Sequence, residues 1–288
     1  MSTQTAPNGL GVNVFTAPAK AVVGERPKPF GPPFGWDPIT STLIYGEYDA
    51  VLVDALTTVS EAQALADWLG LHHRNLTTIY ITHGHFDHFN GLSVLLDRFP
   101  DAKATATPKS VEVIEHTDPE FDRSCQQLFP GQYPAKITRP EPYPDDTFTL
   151  EGHELRIIEQ GRTDTLHSTS LHVPSIDLVG GGDVLYNQCH MFVGDTTAES
   201  RANWIAALDR LAALHPKIAV AGHKKTAAPD TPDAIEESKS YLRDFGRLRE
   251  STQSDEELYN AMTKLYPDWA GHQSWLMFGF PISTLPRP

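Results

Sequence analysis

The stretch ITHGHFDHFNG, residues 81 to 91, gathers three histidines and one aspartate within six positions, directly behind the apolar run TTIYI. A β-branched run that ends in such a cluster reads as a strand emptying into a loop at the edge of a sheet. Imidazole and carboxylate are ligands of choice for zinc and other borderline divalent metals. In the spacing H-x-H-x-D-H the loop must turn after the strand, so that His83 and His85 can grip one ion while Asp87 and His88 reach a second. One loop cannot complete such a site. The fold therefore has to deliver further ligands from distant parts of the chain.

The rest of the sequence reads as strands alternating with helices. STLIY and AVLVDA flank GEYD in a hairpin signature, and SEAQALADWLG follows as a helix with a serine cap and a terminal glycine. After the histidine loop come the helix GLSVLLDRFP, stopped by Pro100, the strand AKATATP, and a helix from Pro108, KSVEVIEH. Residues 117 to 146 break this rhythm and read as an insertion that overhangs a site. TFTL, ELRIIEQ, TSLHVP and IDLVGGGD form a meander, and the helix RANWIAALDRLAALH leads into a last strand, KIAVAGH. Strands sandwiched between helices follow from this order. The expected division is an arm over residues 1–40, a core over 41–228 with the insertion near 117–146, and a helical and aromatic extension over 229–288. The arm is rich in Pro and Gly, shows neither a helical nor an alternating period, and is expected to wrap the body through Phe30, Phe34 and Trp36.

Composition narrows the function by exclusion. A formal charge of −14, with no basic run, argues against nucleic acid as a partner. Cys125 and Cys189 are far apart, which suggests neither a disulfide framework nor a thiolate zinc site. The N-terminus lacks a signal-peptide pattern, and nowhere are there ~18 consecutive apolar residues. A cytoplasmic protein that does not enter a membrane is the expectation.

THGHFDH resembles the signature of the metallo-β-lactamase superfamily. That resemblance implies an α/β fold, an αβ/βα four-layer sandwich with a metal site at the edge between its sheets, here followed by a helical C-terminal extension. It also implies a supporting aspartate at the end of an early strand, a bridging aspartate in a Gly-Asp pair and a last histidine in a Gly-His pair. Asp54 in LVDA, Asp183 in GGGDV and His223 in VAGHKK stand in that order, each after an apolar run. The likeness covers about residues 41 to 226.

One element departs from the pattern. Where the family places Gly-His-Thr, this chain has Gly161-Arg162-Thr163. An arginine stays protonated in a protein and cannot ligate a cation. Three readings follow: His167 swings in as the replacement ligand, Arg162 points away and leaves only the group of Asp87, His88, His223 and Asp183 strongly occupied, or metal chemistry is lost. A further reading makes Arg162 a fork for an anionic substrate.

With His83, His85, Asp87, His88, His167, Asp183 and His223 as ligands, the expected cofactor is zinc, one or two ions, with iron or manganese as alternatives. A divalent ion lowers the pKa of bound water to ~7, so hydroxide attack on a small ester, lactone or related acyl substrate is the expected reaction. Asp87 and Asp183 would orient the water, and His190 or Tyr186 would deliver the proton to the leaving group. The alternatives are a mononuclear iron oxidoreductase of the same fold and a non-catalytic binding protein. A small-molecule substrate and a homodimer are the expected partners. Trp269, Trp275, Phe278 and Phe280 of the tail, with Phe121, Phe129 and Tyr133 of the insertion, either roof an apolar pocket or pack the tail onto the body.

Overall fold

The structure, a computed structural model, describes residues 9–24, 28–117, 119–194, 196–271 and 276. Residues 1–8 of the arm, Trp275, Phe278 and Phe280 of the tail, and the side chain of Phe121 lie outside the described residues.

The chain opens with β1 (Gly11–Ala17), β2 (Lys20–Ala21) and β3 (Gly35–Trp36), followed by the hairpin β4 (Ile39–Tyr45) and β5 (Asp49–Val53). Next come α1 (Val59–Gly70), β6 (Asn75–Tyr80), the short α2 (Phe86–Phe89) inside the histidine loop, α3 (Leu92–Arg98) and β7 (Lys103–Ala106). The insertion carries α5 (Pro119–Leu128) after α4 (Pro108–Glu115), and then β8 (Glu141–Pro142). The second half holds β9 (Thr147–Leu150), β10 (His153–Gly161), β11 (Ser168–Val173), β12 (Leu178–Gly180) and β13 (Tyr186–Asn187). It closes with α6 (Ala198–Ala212), β14 (Ile218–Val220), β15 (His223–Lys224), α7 (Asp233–Ser251) and α8 (Asp255–Leu265).

Two sheets result. The larger runs β13-β15-β4-β5-β6-β7-β8 with β1 also paired to β4, and the smaller runs β14-β12-β11-β10-β9. Side chains alternate across each strand. Val51 and Val53 of β5 and Ile44 of β4 accordingly face Leu155, Ile157, Leu171 and Val173 of the smaller sheet in one core cluster. Ala50, Leu52 and Leu43 turn the other way, into the cluster that helices cover with Leu65, Leu69, Leu92 and Leu95. On the outer side of the smaller sheet Trp204, Leu208 and Leu211 of α6 pack with Tyr241 and Phe245 of α7. This is the expected α/β sandwich with C-terminal helices. Among the described residues no helix is long and apolar enough to cross a membrane.

Three sequence expectations need correction. The arm does hold an alternating segment, since VNVFTA builds β1 in full register with β4, from Gly11 opposite Tyr45 to Ala17 opposite Ile39, while Phe30, Phe34 and Trp36 pack onto the body as expected. Its alternation is real but short: Val12 and Val14 pack into the inter-sheet core, and Phe15 packs into the other cluster. The helix after the hairpin starts at Val59, because Thr58 and not a serine caps it, forming a reciprocal capping box with Glu61. The insertion contains a ten-residue helix, α5.

The parallel crossing through α1 places the ends of β5 and β6 side by side, and β12 runs parallel to β14. All four strands deliver their carboxyl ends, the usual place for a site in such sheets, to one edge. Gly91, after the histidine loop, permits the close approach of α3 to α1. A Cβ there would lie 2.0 Å from the Ala55 carbonyl oxygen and 2.9 Å from the Ala62 Cβ. Gly91→Ala is expected to destabilise the chain by ~1–3 kcal/mol, as overpacking does. Urea unfolding measures this, and an unchanged midpoint would contradict the packing described.

Candidate metal centre

The centre is built outward from Asp54. This residue directly follows β5 with φ at +64°, a left-handed backbone that aspartate tolerates better than most side chains. Its carboxylate accepts the backbone N–H of Thr82 at 2.9 Å and the Thr82 hydroxyl at 2.9 Å, and it meets His88 Nδ1 at 2.9 Å. Because the Thr82 hydroxyl donates to Asp54, its oxygen is left to accept from His83 Nδ1, 2.9 Å away. His223 Nδ1 lies 2.9 Å from the carbonyl oxygen of Pro38, which can only accept. Each of these three imidazoles thus spends its Nδ1–H on an oxygen and turns the Nε2 lone pair inward, the tautomer a metal requires.

Two groups of ligand atoms converge, each within 4.8 Å: His83, His85, Asp164 and Asp183, and Asp87, His88 and His223. Asp183 stands between them. Its Oδ1 is 3.1 Å from His88 Nε2, and its Oδ2 is 3.4 Å from His223 Nε2 and 3.9 Å from His83 Nε2. Asp164 Oδ2 is 3.0 Å from His85 Nδ1 and 3.6 Å from His83 Nε2. Each half-site therefore offers two imidazoles and one carboxylate, with Asp183 shared.

The donor set fits divalent cations. His83 Nε2, His88 Nε2, Asp164 Oδ2 and Asp183 Oδ1 are buried and take no hydrogen bond among the described residues. Packing such buried atoms against one another without a well-formed hydrogen bond is costly, and more so for carboxylates, unless a cation compensates them. Both half-sites match the nitrogen and oxygen donor sets that zinc and related metals use. The His85 side chain keeps 27% of its surface exposed, whereas those of His83, His88 and His223 are fully buried, so the centre opens on the His85 side.

Electrostatics show the same demand for positive charge. Burial alone would favour neutral imidazole, yet Asp183 and Asp54 hold His88 well above its ordinary range. Burial also acts against the proton of His223, but Asp183 and Asp87 hold that ring up to about 10. Burial, aided by the neighbouring His88, pulls His83 down to about 4. Against its own burial, Asp183 is held well below the carboxylate range by His223 and His88.

Most predicted ligands are brought together, and two predicted residues are not. His167 stays outside the convergent groups. Its backbone is left-handed at φ +57°, its carbonyl accepts from the Ser110 hydroxyl, and its side chain is half-buried. Asp164 takes the expected place instead, since the chain bulges between Glu159 and Gly161 and the turn after it exposes Arg162 while burying Thr163 and Asp164. His190 is buried in an aromatic cluster, with Nδ1 3.0 Å from the Tyr241 hydroxyl and its ring 6.2 Å from Trp269. Tyr186, the other proton-donor candidate, does reach the centre, donating to Asp183 Oδ2 at 3.0 Å and stacking on His223. Sequence reasoning also missed Trp36, whose indole N–H donates to Asp87 Oδ2 at 3.1 Å.

A model of the metallo-beta-lactamase superfamily matches residues 34–223, a span that includes all seven converging side chains. The chain belongs to the metallo-beta-lactamase superfamily. It is 28% identical over 186 residues to a hydroxyacylglutathione hydrolase of Glaesserella parasuis serovar 5 (strain SH0165), covering 64% of this chain and 65% of that protein. A 72-residue stretch is 36% identical to an (R)-specific secondary-alkylsulfatase of a Pseudomonas sp, covering 24% of this chain and 11% of that one. The chain thus spans less than two thirds of the length of the curated relatives it matches. Among solved structures, a metallo-beta-lactamase family protein from Thermus thermophilus superposes with a TM-score of 0.63 at 17% identity, covering 93% of this chain and 90% of that one. A metallo-beta-lactamase from Pontibacter korlensis gives 0.57 at 15% identity, covering 84% and 98%. At these identities the likeness is one of fold.

Two outcomes are expected of this superfamily centre. Trp36→Phe keeps the ring packed on Phe86 and Phe129 but removes the N–H that holds Asp87, so zinc affinity should fall ~10–100-fold, the usual effect of an outer-shell partner. Competition with a chromogenic chelator measures it, and unchanged affinity would remove Trp36 from the centre. Because ligands bind metal deprotonated, and His88 and His223 hold protons above the ordinary imidazole range, metal uptake at neutral pH should release protons and strengthen as pH rises. A pH indicator in weak buffer reads this during zinc addition; uptake without proton release would contradict it.

Proposed function

We propose that the chain is a metal-dependent hydrolase acting on small acyl substrates: esters, lactones or thioesters. The observation that carries this reading is the pair of two-histidine, one-aspartate groups that share Asp183 at an edge opened by His85. His83, His85 and Asp164 would hold one cation, Asp87, His88 and His223 the other, and Asp183 both. When bound, such ions lower the pKa of water to ~7 and polarise the group under attack.

The protein's own groups supply the rest. Tyr186 fixes Asp183 Oδ2 through its hydroxyl, while Trp36 fixes Asp87 Oδ2, so each carboxylate keeps one oxygen orientation from which to accept a water proton. Burial and the charge of Asp183 push the Tyr186 phenol well above its ordinary range, which keeps that donor protonated near neutral pH. The approach past His85 is flanked by Phe192, whose ring is 5.9 Å from the imidazole, and this favours a substrate with an apolar flank. The relative named hydroxyacylglutathione hydrolase supports extending the acyl class to thioesters. The departure at Arg162 does not deprive either half-site of a donor, because Asp164 is present. That weakens the reading of a binding protein with a degenerate site. A second reading, hydrolysis of alkyl sulfate esters, is favoured by the 36% identical stretch shared with the alkylsulfatase.

A panel of p-nitrophenyl esters, lactones, acyl thioesters and alkyl sulfates, assayed with added zinc, tests the reading. Turnover of an acyl substrate is expected. Asp164→Asn should cost more than the ~10–100-fold typical of an outer-shell partner, and His167→Ala should leave the rate nearly unchanged. Loss of activity in the His167 variant but not in the Asp164 variant would overturn the ligand assignment; turnover of alkyl sulfates alone would favour the second reading.

A further inference from the structure

The turn that buries Asp164 also buries two hydroxyls. Gly161 pairs opposite Ser168 where β10 hands over to β11, and Thr163 and Ser168 are each 1% exposed beside the carboxylate. Thr163 Oγ1 lies 2.7 Å from Asp164 Oδ1, Ser168 Oγ lies 3.1 Å from the same oxygen, and the two hydroxyls are 2.8 Å apart. A hydroxyl carries one proton, and a carboxylate oxygen can only accept. However the two protons are shared within this triangle, Oδ1 receives at least one of them. The Ser110 hydroxyl, donating to the His167 carbonyl, ties the same turn to α4.

The two oxygens of Asp164 therefore differ. Oδ1 is occupied by hydroxyls, whereas Oδ2 meets only imidazole nitrogens among the described residues, His85 Nδ1 at 3.0 Å and His83 Nε2 at 3.6 Å. The other two carboxylates are held differently, since Trp36 and Tyr186 donate to oxygens of Asp87 and Asp183 that also approach His223.

The difference bears on where the half-site opens. His83, His85, Asp164 and Asp183 already offer four donors, and a catalytic zinc site keeps a position for water. A carboxylate free to turn can give a cation both of its oxygens. A fifth donor from Asp164 would compete for the side left open at His85, the one imidazole of the four whose side chain is not fully buried. An imidazole in this turn would offer a single atom inward, and the two hydroxyls make Asp164 do the same.

We propose that Thr163 and Ser168 are positioning residues: by holding Oδ1 they limit Asp164 to one oxygen toward a cation and keep the His85 side of that half-site free for water or substrate. Both act through Asp164 rather than on the reacting atoms. The proposal rests on the metal-dependent reading with Asp164 as a ligand.

Cobalt(II) in place of zinc reads this on the full chain without any turnover, because its visible absorption reports its coordination and changes when azide binds at an open position. The wild type should hold two cobalt ions and bind azide, and the absorption lost in Asp164→Asn marks this half-site. Thr163→Val combined with Ser168→Ala changes no charge. It is expected to retain both ions yet bind azide at least about tenfold more weakly, within the range over which outer-shell partners tune metal sites. Thr163→Ser, which keeps the hydroxyl, should bind azide as the wild type does. Should the double variant not fold, Ser168→Ala alone, which removes one oxygen, is read in the same way. Unchanged azide affinity would overturn the proposal. So would loss of cobalt together with azide binding, since the hydroxyls would then merely keep the ligand in place. If Asp164→Asn leaves metal content and spectrum unaltered, the ligand assignment falls and the proposal with it. If the azide effect is found while no acyl substrate turns over, Thr163 and Ser168 keep their role and only the acyl reading falls.

Discussion

Three carboxylates, Asp87, Asp164 and Asp183, are buried within reach of one another at the edge between two sheets. Carboxylates removed from water and crowded together are unfavourable unless positive charge is placed among them. The surroundings are organised around that requirement. Four imidazoles face the carboxylates, three of them fixed through Nδ1 by Thr82, Asp54 and Pro38 so that Nε2 points inward. The centre is thus preorganised for cations by hydrogen bonds made one shell further out, and those bonds come from parts of the chain that look unrelated to it.

The N-terminal arm and the C-terminal helices, which flank the core in sequence, both reach this centre. Trp36 and Pro38, placed by the start of β4, hold Asp87 and His223. From the other end, Ser238 of α7 accepts the backbone N–H of Tyr186 and donates to its carbonyl, and Trp204 of α6 donates to Val184 at 2.8 Å. These bonds secure the turn that carries Asp183. Among the described residues, α6 of the core and α7 of the extension thus bear on the centre through the position of that turn.

Much of this was legible in the sequence, and the reasons for the rest are local. His83, His85, Asp87 and His88 declare themselves by density, and Asp54, Asp183 and His223 each follow an apolar run that could only be a strand. Asp164 was hidden because the turn after Gly161 was read by residue type, seeking a histidine, when the backbone bulge at the end of β10 decides which side chain faces inward. An acidic residue in the turn between two strands, so close to the expected position, is the available signal. His190 looked close to Asp183 in sequence, but the chain turns at Gln188, with φ at +49°, and carries it among Tyr241, Tyr266 and Trp269. Trp36 left no periodic signal, since a single hydrogen bond from a proline-rich segment has none. The strand β1 was overlooked for a related reason: six alternating residues were averaged into the glycines and prolines around them.

The central claim is that seven side chains form two cation-binding half-sites sharing Asp183. Elemental analysis of protein purified without chelators and then exposed to excess zinc, with loosely held ion removed by gel filtration, tests it most directly. The account predicts two ions per chain. A plateau at one would mean that Asp164 and Asp183 do not complete the His83 and His85 half-site, and no retained metal would contradict the account as a whole.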